Sequence, residues 1–227
     1  MPTNATGQLI YANPLATPGD VAEFRLEGDA AISFPQGRMR MENTRDPAQG
    51  QKANFVYWCP IEFPASVAIS WDFWPLREPG LCVFFFAAQG RDGRDLFDPQ
   101  LPKRTGEYVQ YHHGDLDALH ISYFRHWAPE ERAFHTCNLR KSHGFHMVAQ
   151  GADPLPSVPE SQPPYHIELV KQGPGVAFSV NGLPVLHWID DGATYGPIRG
   201  GGRIGFRQMA PLIAEYANLK VHDLGDA

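Results

Sequence analysis

Cysteine is scarce in this chain: Cys59, Cys82 and Cys137 are the three among 227 residues, and no two are spaced as C-x-x-C. That excludes a disulfide framework, and it leads us to expect three reduced, buried thiols in a cytoplasmic protein. Basic charge is also in short supply. Nineteen Lys and Arg stand against 25 Asp and Glu, for a net charge of −6. With no Lys/Arg cluster to override it, that balance argues against a nucleic-acid partner. Long apolar runs are missing: Gly80–Ala88 is far too short to cross a bilayer, so no membrane partner is expected. The opening "MPTNATGQLI" lacks the basic residues and apolar stretch of a secretory signal, which again points to the cytoplasm. Long helical patterns are absent too, since "DPQLPKRTGEY" and "APEERAF" are each interrupted by Pro or Gly or cut short. Several catalytic motifs fail to appear. There is no H-E-x-x-H and no G-x-S-x-G, and "GPIRGGGRIG" has no helix behind it to make a nucleotide loop.

What is plentiful is turn chemistry. The chain holds 22 Gly and 21 Pro, about a fifth of it against a usual share near 12%. They are scattered as punctuation between short alternating segments, which is how many strands joined by tight turns are written. "VAISWDFWP" sets Trp71 and Phe73 on one face, with Asp72 and Trp74 on the other. "GLCVFFFAAQG" is apolar on both faces and reads as a central strand. "YHIELVKQG", "VAFSVNG" and "LPVLHWIDDG" form a meander in which Asn181-Gly182 marks a hairpin. These readings give an all-β fold: a β-sandwich jelly roll of two curved antiparallel sheets. A single domain over 1–227 is expected, with a Pro-rich surface loop at 151–165.

The segment "YVQYHHGDLDALHISYFRHW" (108–127) concentrates histidine, tyrosine and arginine, and seven of the ten histidines lie between His112 and His146. Sugars need flat rings for their C–H faces and fixed polar groups for their hydroxyls; acidic sugars also need Arg or Lys. Trp58, Trp71, Trp74, Tyr108, Tyr111, Tyr123 and Trp127 offer rings, while Arg125, Arg140, Lys141 and Arg207 offer cations. "NLRKS" puts Asn138, Arg140 and Ser142 on one strand face, and Gln208 follows Arg207 on another strand. Removing a proton α to a uronate carboxylate needs a cation to neutralise the acid and a His or Tyr to move protons. His120, Tyr123, Arg125 and Arg140 are the catalytic candidates for that chemistry. Strict alternation sets Tyr123 and Arg125 on one face and His120 on the other, unless a bulge intervenes. Substrate binding is expected at Trp71, Asp72, Tyr111, His112, Asn138, Lys141, His146, Arg207 and Gln208. A hydrolase would instead need two carboxylates, and Asp72 is the best single candidate but has no partner at an informative spacing. A metal reading would join His112 or His113 to Asp115 or Asp117 and His120. No metal or other cofactor is required by the chemistry favoured here. The carboxylates Asp92, Asp95 and Asp98 can serve a structural Ca²⁺.

Taken in order, "YANPLA", "VYWCPIEFP", "WDFWP", "GLCVFFFAAQGRDGRDLFD", "GEYVQYHHGD", "NLRKSHGFHMVAQGADP", "DDGATYGP" and "GRIGFRQMAP" resemble the YesU-like family of the concanavalin A-like lectin/glucanase superfamily. The resemblance spans about residues 9–222. It implies a jelly roll whose ligands, mostly oligosaccharides or polysaccharides, lie across the concave sheet. It also implies a setting of rhamnogalacturonan use, the acidic backbone of pectin. The superfamily's paired-glutamate motif E-x-D-x-x-E is missing, which counts against retaining glucanase chemistry. The expectation is an enzyme acting on uronate-containing oligosaccharides, by β-elimination before hydrolysis. A non-catalytic lectin is the alternative from another class, and a structural or regulatory sandwich is a third.

Overall fold

The computed structural model of the chain describes residues 7–126 and 135–225. Fifteen strands are defined within these residues: β1 (Gln8–Asn13), β2 (Arg25–Glu27), β3 (Ala30–Ser33), β4 (Met39–Asn43), β5 (Phe55–Trp58), β6 (Val67–Arg77), β7 (Gly80–Gly90), β8 (Leu116–His126), β9 (Thr136–Ser142), β10 (His146–Ala152), β11 (Tyr165–Gln172), β12 (Gly175–Val180), β13 (Leu183–Ile189), β14 (Arg203–Gln208) and β15 (Ile213–Asp223). They form two antiparallel sheets. The eight-stranded sheet runs β13-β12-β11-β6-β15-β4-β3, with β1 also on β15, and the seven-stranded sheet runs β10-β9-β8-β7-β14-β5-β2. An all-β sandwich of jelly-roll type is therefore the architecture. The apolar-on-both-faces segment of the sequence is β7, the middle strand of the seven-stranded sheet.

One core lies between the sheets. Trp71 and Phe73 of β6 reach inward to meet Phe84 of β7, Tyr123 of β8 and Phe206 of β14, with Trp71 stacked on Phe84 at 4.3 Å. Each such ring stabilises the fold by about 1.5–3 kcal/mol through burial alone. A second, smaller cluster covers the far face of the seven-stranded sheet, around Val56, Trp58, Val83, Phe85, Leu96 and Tyr111. Part of that face is thus roofed by the chain between β7 and β8. The short helix α1 (Val109–His112) belongs to this roof. Asn181 and Gly182 both take positive φ, 50° and 74°, as the hairpin between β12 and β13 requires.

The Pro-rich stretch departs from expectation at its ends, where Gly151 and Ala152 belong to β10 and Tyr165 to β11, and in its burial. Asp153 and Leu155 are buried, because Asp153 accepts backbone N–H bonds and Leu155 joins the core. The first part of this segment is therefore an inner strut, and only its later part runs on the surface. Among the described residues no helix is long and apolar enough to cross a membrane.

Candidate functional site

Side chains opposite one another on adjacent strands share a face. The register of the seven-stranded sheet therefore defines two transverse rows on its far face. One row reads Trp58, Gly205, Phe85, His120, Arg140 and Met147. The next reads Val56, Arg207, Val83, Ser122, Asn138 and Gln150. Gly205 is needed where it stands: a Cβ there would fall 2.4 Å from the Trp58 ring. On β2 the same register adds Arg25 to the first row and Glu27, the one carboxylate, to the second. Glu27, on the edge strand opposite Val56, is already bound by Arg104 and by Tyr111 Oη.

Above His120 sits Tyr108, immediately before α1, with its Oη 2.8 Å from His120 Nε2. The Arg207 guanidinium lies 4.6 Å from the centre of the Tyr108 ring, on a side chain with 0% exposure. His112 and Phe145 complete a small aromatic roof. Phe145 meets His112 at 4.4 Å and Tyr108 at 5.5 Å, and Arg140 stacks on Phe145 at 3.7 Å. The turn carrying Phe145 is latched to α1 by Gly144 N–H donating to His112 O. The row of Arg207 and Ser122 ends in amides, with Gln150 Nε2 donating to Asn138 Oδ1 at 2.7 Å.

Burial and positive charge act together on the titrating groups. Burial, then the charges of Arg140, His112 and Arg207, hold His120 well below the usual imidazole range, so it is neutral at pH 7. Burial, His113 and the arginines lower His112 to about 4. Burial pushes the Tyr108 phenol up to about 12, against the opposing pull of Arg207, Arg140 and Arg125. Burial lowers Arg207 to about 10, since no carboxylate among the described residues pairs with it. Neutral imidazole, protonated phenol and cations are thus the resting state of the cluster.

Arg125 reaches this face by a backbone device that strict alternation misses. Cys82 pairs with Tyr123 and Gly80 with His126, so Leu81 stands opposite two residues, Phe124 and Arg125. That is a β-bulge, with Phe124 at φ 47°. Tyr123 and Phe124 both enter the core. Arg125 comes out toward the His120 side, where its charge favours the ionised form of the Tyr108 phenol. The Asp153 carboxylate accepts from the Arg125 N–H at 2.9 Å and also from the Phe124 N–H, holding the bulge. The expected sharing of faces is therefore corrected: His120 and Arg125 go together, and Tyr123 is the one split off.

His120, Arg125, Arg140, His112, Asn138 and Arg207 are brought together. The remaining candidates are not. Tyr123 and Trp71 are sealed between the sheets by Phe73, Phe84 and Phe178, so neither ring is open to a ligand. Gln208 is buried on the core side, donating to Tyr216 Oη. Tyr111 is buried beneath the roof on Trp58 and Phe85, with its hydroxyl donating to Glu27. Asp72 lies on the outer face of the other sheet, held by His166 and Asn218. Lys141 is buried in an ion pair with Asp190 at 2.6 Å. His146 stacks on Tyr195 at 4.4 Å, away from the His120 group. Trp127 falls outside the described residues. Among those described, no three His, Cys, Asp or Glu side chains gather as a metal site would need. Asp95 is instead engaged by Arg203. Sequence reasoning passed over Gln51, Phe145 and Gln150, and saw Tyr108 only as a ring. The density of His, Tyr and Arg around Tyr108 was the available signal.

The fold and site define a two-sheet jelly-roll sandwich with a cluster of guanidinium, imidazole and phenol groups on one sheet. Residues 8–221 match the model of the domain of unknown function DUF1961, and the chain belongs to that family. It is 53% identical over 216 residues to the uncharacterized protein YesU of Bacillus subtilis strain 168, covering 95% of this chain and 96% of the relative. It superposes on a crystal structure of a protein of unknown function with galectin-like fold, also from Bacillus subtilis, with TM-score 0.92 and 52% identity over 96% of each chain. More distant solved structures share the fold alone. The potassium-bound carbohydrate recognition domain of Emp46p matches at TM-score 0.61 and 13% identity, over 94% of this chain and 96% of its own. The glucanase SCLam, a non-specific endo-β-1,3(4)-glucanase of family GH16, also matches at 0.61, with 11% identity over 96% and 91%.

Proposed function

We propose that this face binds acidic, uronate-containing saccharides and cleaves them by β-elimination, with Tyr108 as the group that touches the reacting atoms. The observation that carries the reading is the Tyr108–His120 pair standing among Arg140, Arg207 and Arg125, while Glu27, the one carboxylate in the two rows, is already paired with Arg104. A glycosidase of the two-carboxylate kind would bring the opposite inventory. A uronate supplies its own carboxylate, and a site built from guanidinium and amide donors suits it. Arg140, with Asn138 and Gln150, would hold that carboxylate and stabilise charge developing on it.

The proton steps balance within the pair. The C–H bond α to the carboxylate breaks and its proton passes to Tyr108 Oη, as the phenol's own proton moves to His120 Nε2. The freed electron pair forms the new C=C bond, and the β-carbon–oxygen bond breaks. The leaving oxygen takes the proton from Oη, and His120 returns its proton to the phenolate. His120 is only 1% exposed beneath Tyr108, so it serves as a proton partner rather than a contact to substrate. In its neutral Nδ1–H tautomer Nε2 is free to receive, and its low basicity, which makes the uptake costly, favours prompt return.

The second reading is binding without turnover, and the closed roof over His120 and Arg207 is what favours it. Rhamnogalacturonan, implied by the family resemblance, is the first acidic polymer to try. The test is ultraviolet absorbance of a double bond conjugated to the carboxylate, run beside calorimetry on the same oligosaccharides. Rising absorbance that Tyr108→Phe lowers by about 10²–10⁴-fold, with affinity kept, supports elimination. New reducing ends without absorbance would overturn it in favour of hydrolysis, and binding alone would leave a lectin.

A further inference from the structure

Most enclosed cations among the described residues have a carboxylate: Arg104 pairs with Glu27, Lys141 with Asp190, and Arg203 with Asp95. Lys171 and Arg207 do not, and Lys171 Nζ is met by the Ala65 and Gly173 carbonyls. Arg207 is more deeply enclosed than Arg203, yet its polar partners are the Gln51 side chain at 3.0 Å and the Gly106 carbonyl at 3.4 Å, both through Nη2. Its Nε and Nη1 have no partner. An unpaired buried guanidinium costs stability, so a neighbouring position that withholds the counter-charge calls for a reason.

Gln51 is that neighbouring position. It lies in the 3₁₀ segment Pro47–Ala53, and its Oε1 accepts from Asn54 Nδ2 at 3.0 Å, from Tyr108 N at 3.3 Å and from Arg207 Nη2 at 3.0 Å. Each of these bonds uses the amide oxygen. A glutamate of the same length would make all three and would pair Arg207 as well. The chain carries the neutral isostere, although local hydrogen bonding would accept the charged one at least as readily.

We infer that Gln51 determines specificity for acidic saccharides, by fixing Arg207 under Tyr108 while leaving its positive charge uncancelled. The inference rests on the anionic-ligand reading above and extends it to Gln51. Arg207 acts through the Tyr108 ring. In a poorly screened interior its charge reaches a carboxylate several ångströms beyond that ring. Gln51 also sets the Tyr108 backbone, so one side chain aligns the cation and the phenol above it.

Gln51→Glu is the decisive variant, because it preserves shape and acceptors while neutralising the charge. Stability and affinity should move in opposite directions. Tm should rise by about 2–4 °C, and that gain should vanish in an Arg207→Met background, where no cation remains to pair. Affinity for galacturonate oligosaccharides, measured by calorimetry, should fall about tenfold. Affinity for a neutral galactose oligosaccharide should stay as it was. Equal losses for acidic and neutral sugars would reduce Gln51 to a structural support and overturn the inference. So would unchanged affinity for the acidic oligosaccharides. If the unmodified protein binds no acidic oligosaccharide, the functional reading itself fails; if it binds them and Gln51→Glu binds them equally well, only the role of Gln51 fails.

Discussion

Tyr108 and Tyr123 have the same chemistry in different surroundings. Tyr123 is enclosed by Trp71, Phe73 and Phe178, where burial raises its phenol well above the ordinary value and no solute can reach it. Tyr108 is partly exposed, bonded to a neutral imidazole and faced by guanidinium groups. Composition picked out both, since both lie in one His- and Arg-rich stretch; what separates them is a change of face that composition does not record. Tyr123→Phe should therefore leave saccharide affinity and any turnover unchanged, and cost about 1 kcal/mol of stability through the lost buried hydroxyl contacts. Urea unfolding and calorimetry on that one variant check both halves. A large loss of binding would mean that the core face communicates with the site. The common face of Asn138 and Arg140 was legible, because "NLRKS" alternates strictly; that His120 lies directly opposite Arg140 is set by the pairing of two strands.

At the level of the strand, the decisive element is the bulge in β8. Up to Ser122 the alternation in "ALHIS" predicts the faces correctly, with His120 out and Ile121 in. One extra residue at Phe124 then resets the phase, so Arg125 emerges on the His120 side. No local residue type marks this change, because phenylalanine is a poor occupant of positive φ. The cause is remote in sequence: Asp153 arrives from the Pro-rich segment and takes the N–H groups that the bulge frees. A single sequence read by period cannot register a contact made across that separation. Asp153→Ala should cost about 2–3 kcal/mol, because it leaves buried N–H donors without an acceptor. It should also weaken binding of acidic saccharides by releasing Arg125. Urea midpoints for the variant test the first effect, and a cost below about 0.5 kcal/mol would show that the bulge stands without its carboxylate.

For the molecule as a whole, the central position of β7 and the hairpin at Asn181-Gly182 were legible, because each follows from local pattern. The layering that hides Trp71 and displays Arg140 needs the second sheet, and so did not follow. The same layering sets the response to pH. His112, His120 and His143 are held below their ordinary value of 6.5, so the unfolded chain binds protons that the folded chain refuses. The stability they contribute is complete above pH 6.5 and is lost as pH falls, toward about 4 for His112. Asp20, Asp95 and Asp191 are lowered from 3.8 and add to the loss at still lower pH, while Asp153, raised, opposes them. On the alkaline side the signs reverse. Cys59, Cys82 and Cys137 are raised from 9.0, and Tyr108, Tyr111, Tyr123 and Tyr216 from 10.0, so the unfolded chain releases protons that the folded chain retains. Their contribution is whole below pH 9 and declines above it. Urea midpoints measured across pH should therefore hold a plateau between about 7 and 9 and fall on both flanks. Replacing His120 with Asn should shallow the acid flank and leave the alkaline one as steep as before. An acid flank unchanged by that substitution would mean that His120 can take up a proton while folded, and would remove the basis for its neutrality at pH 7.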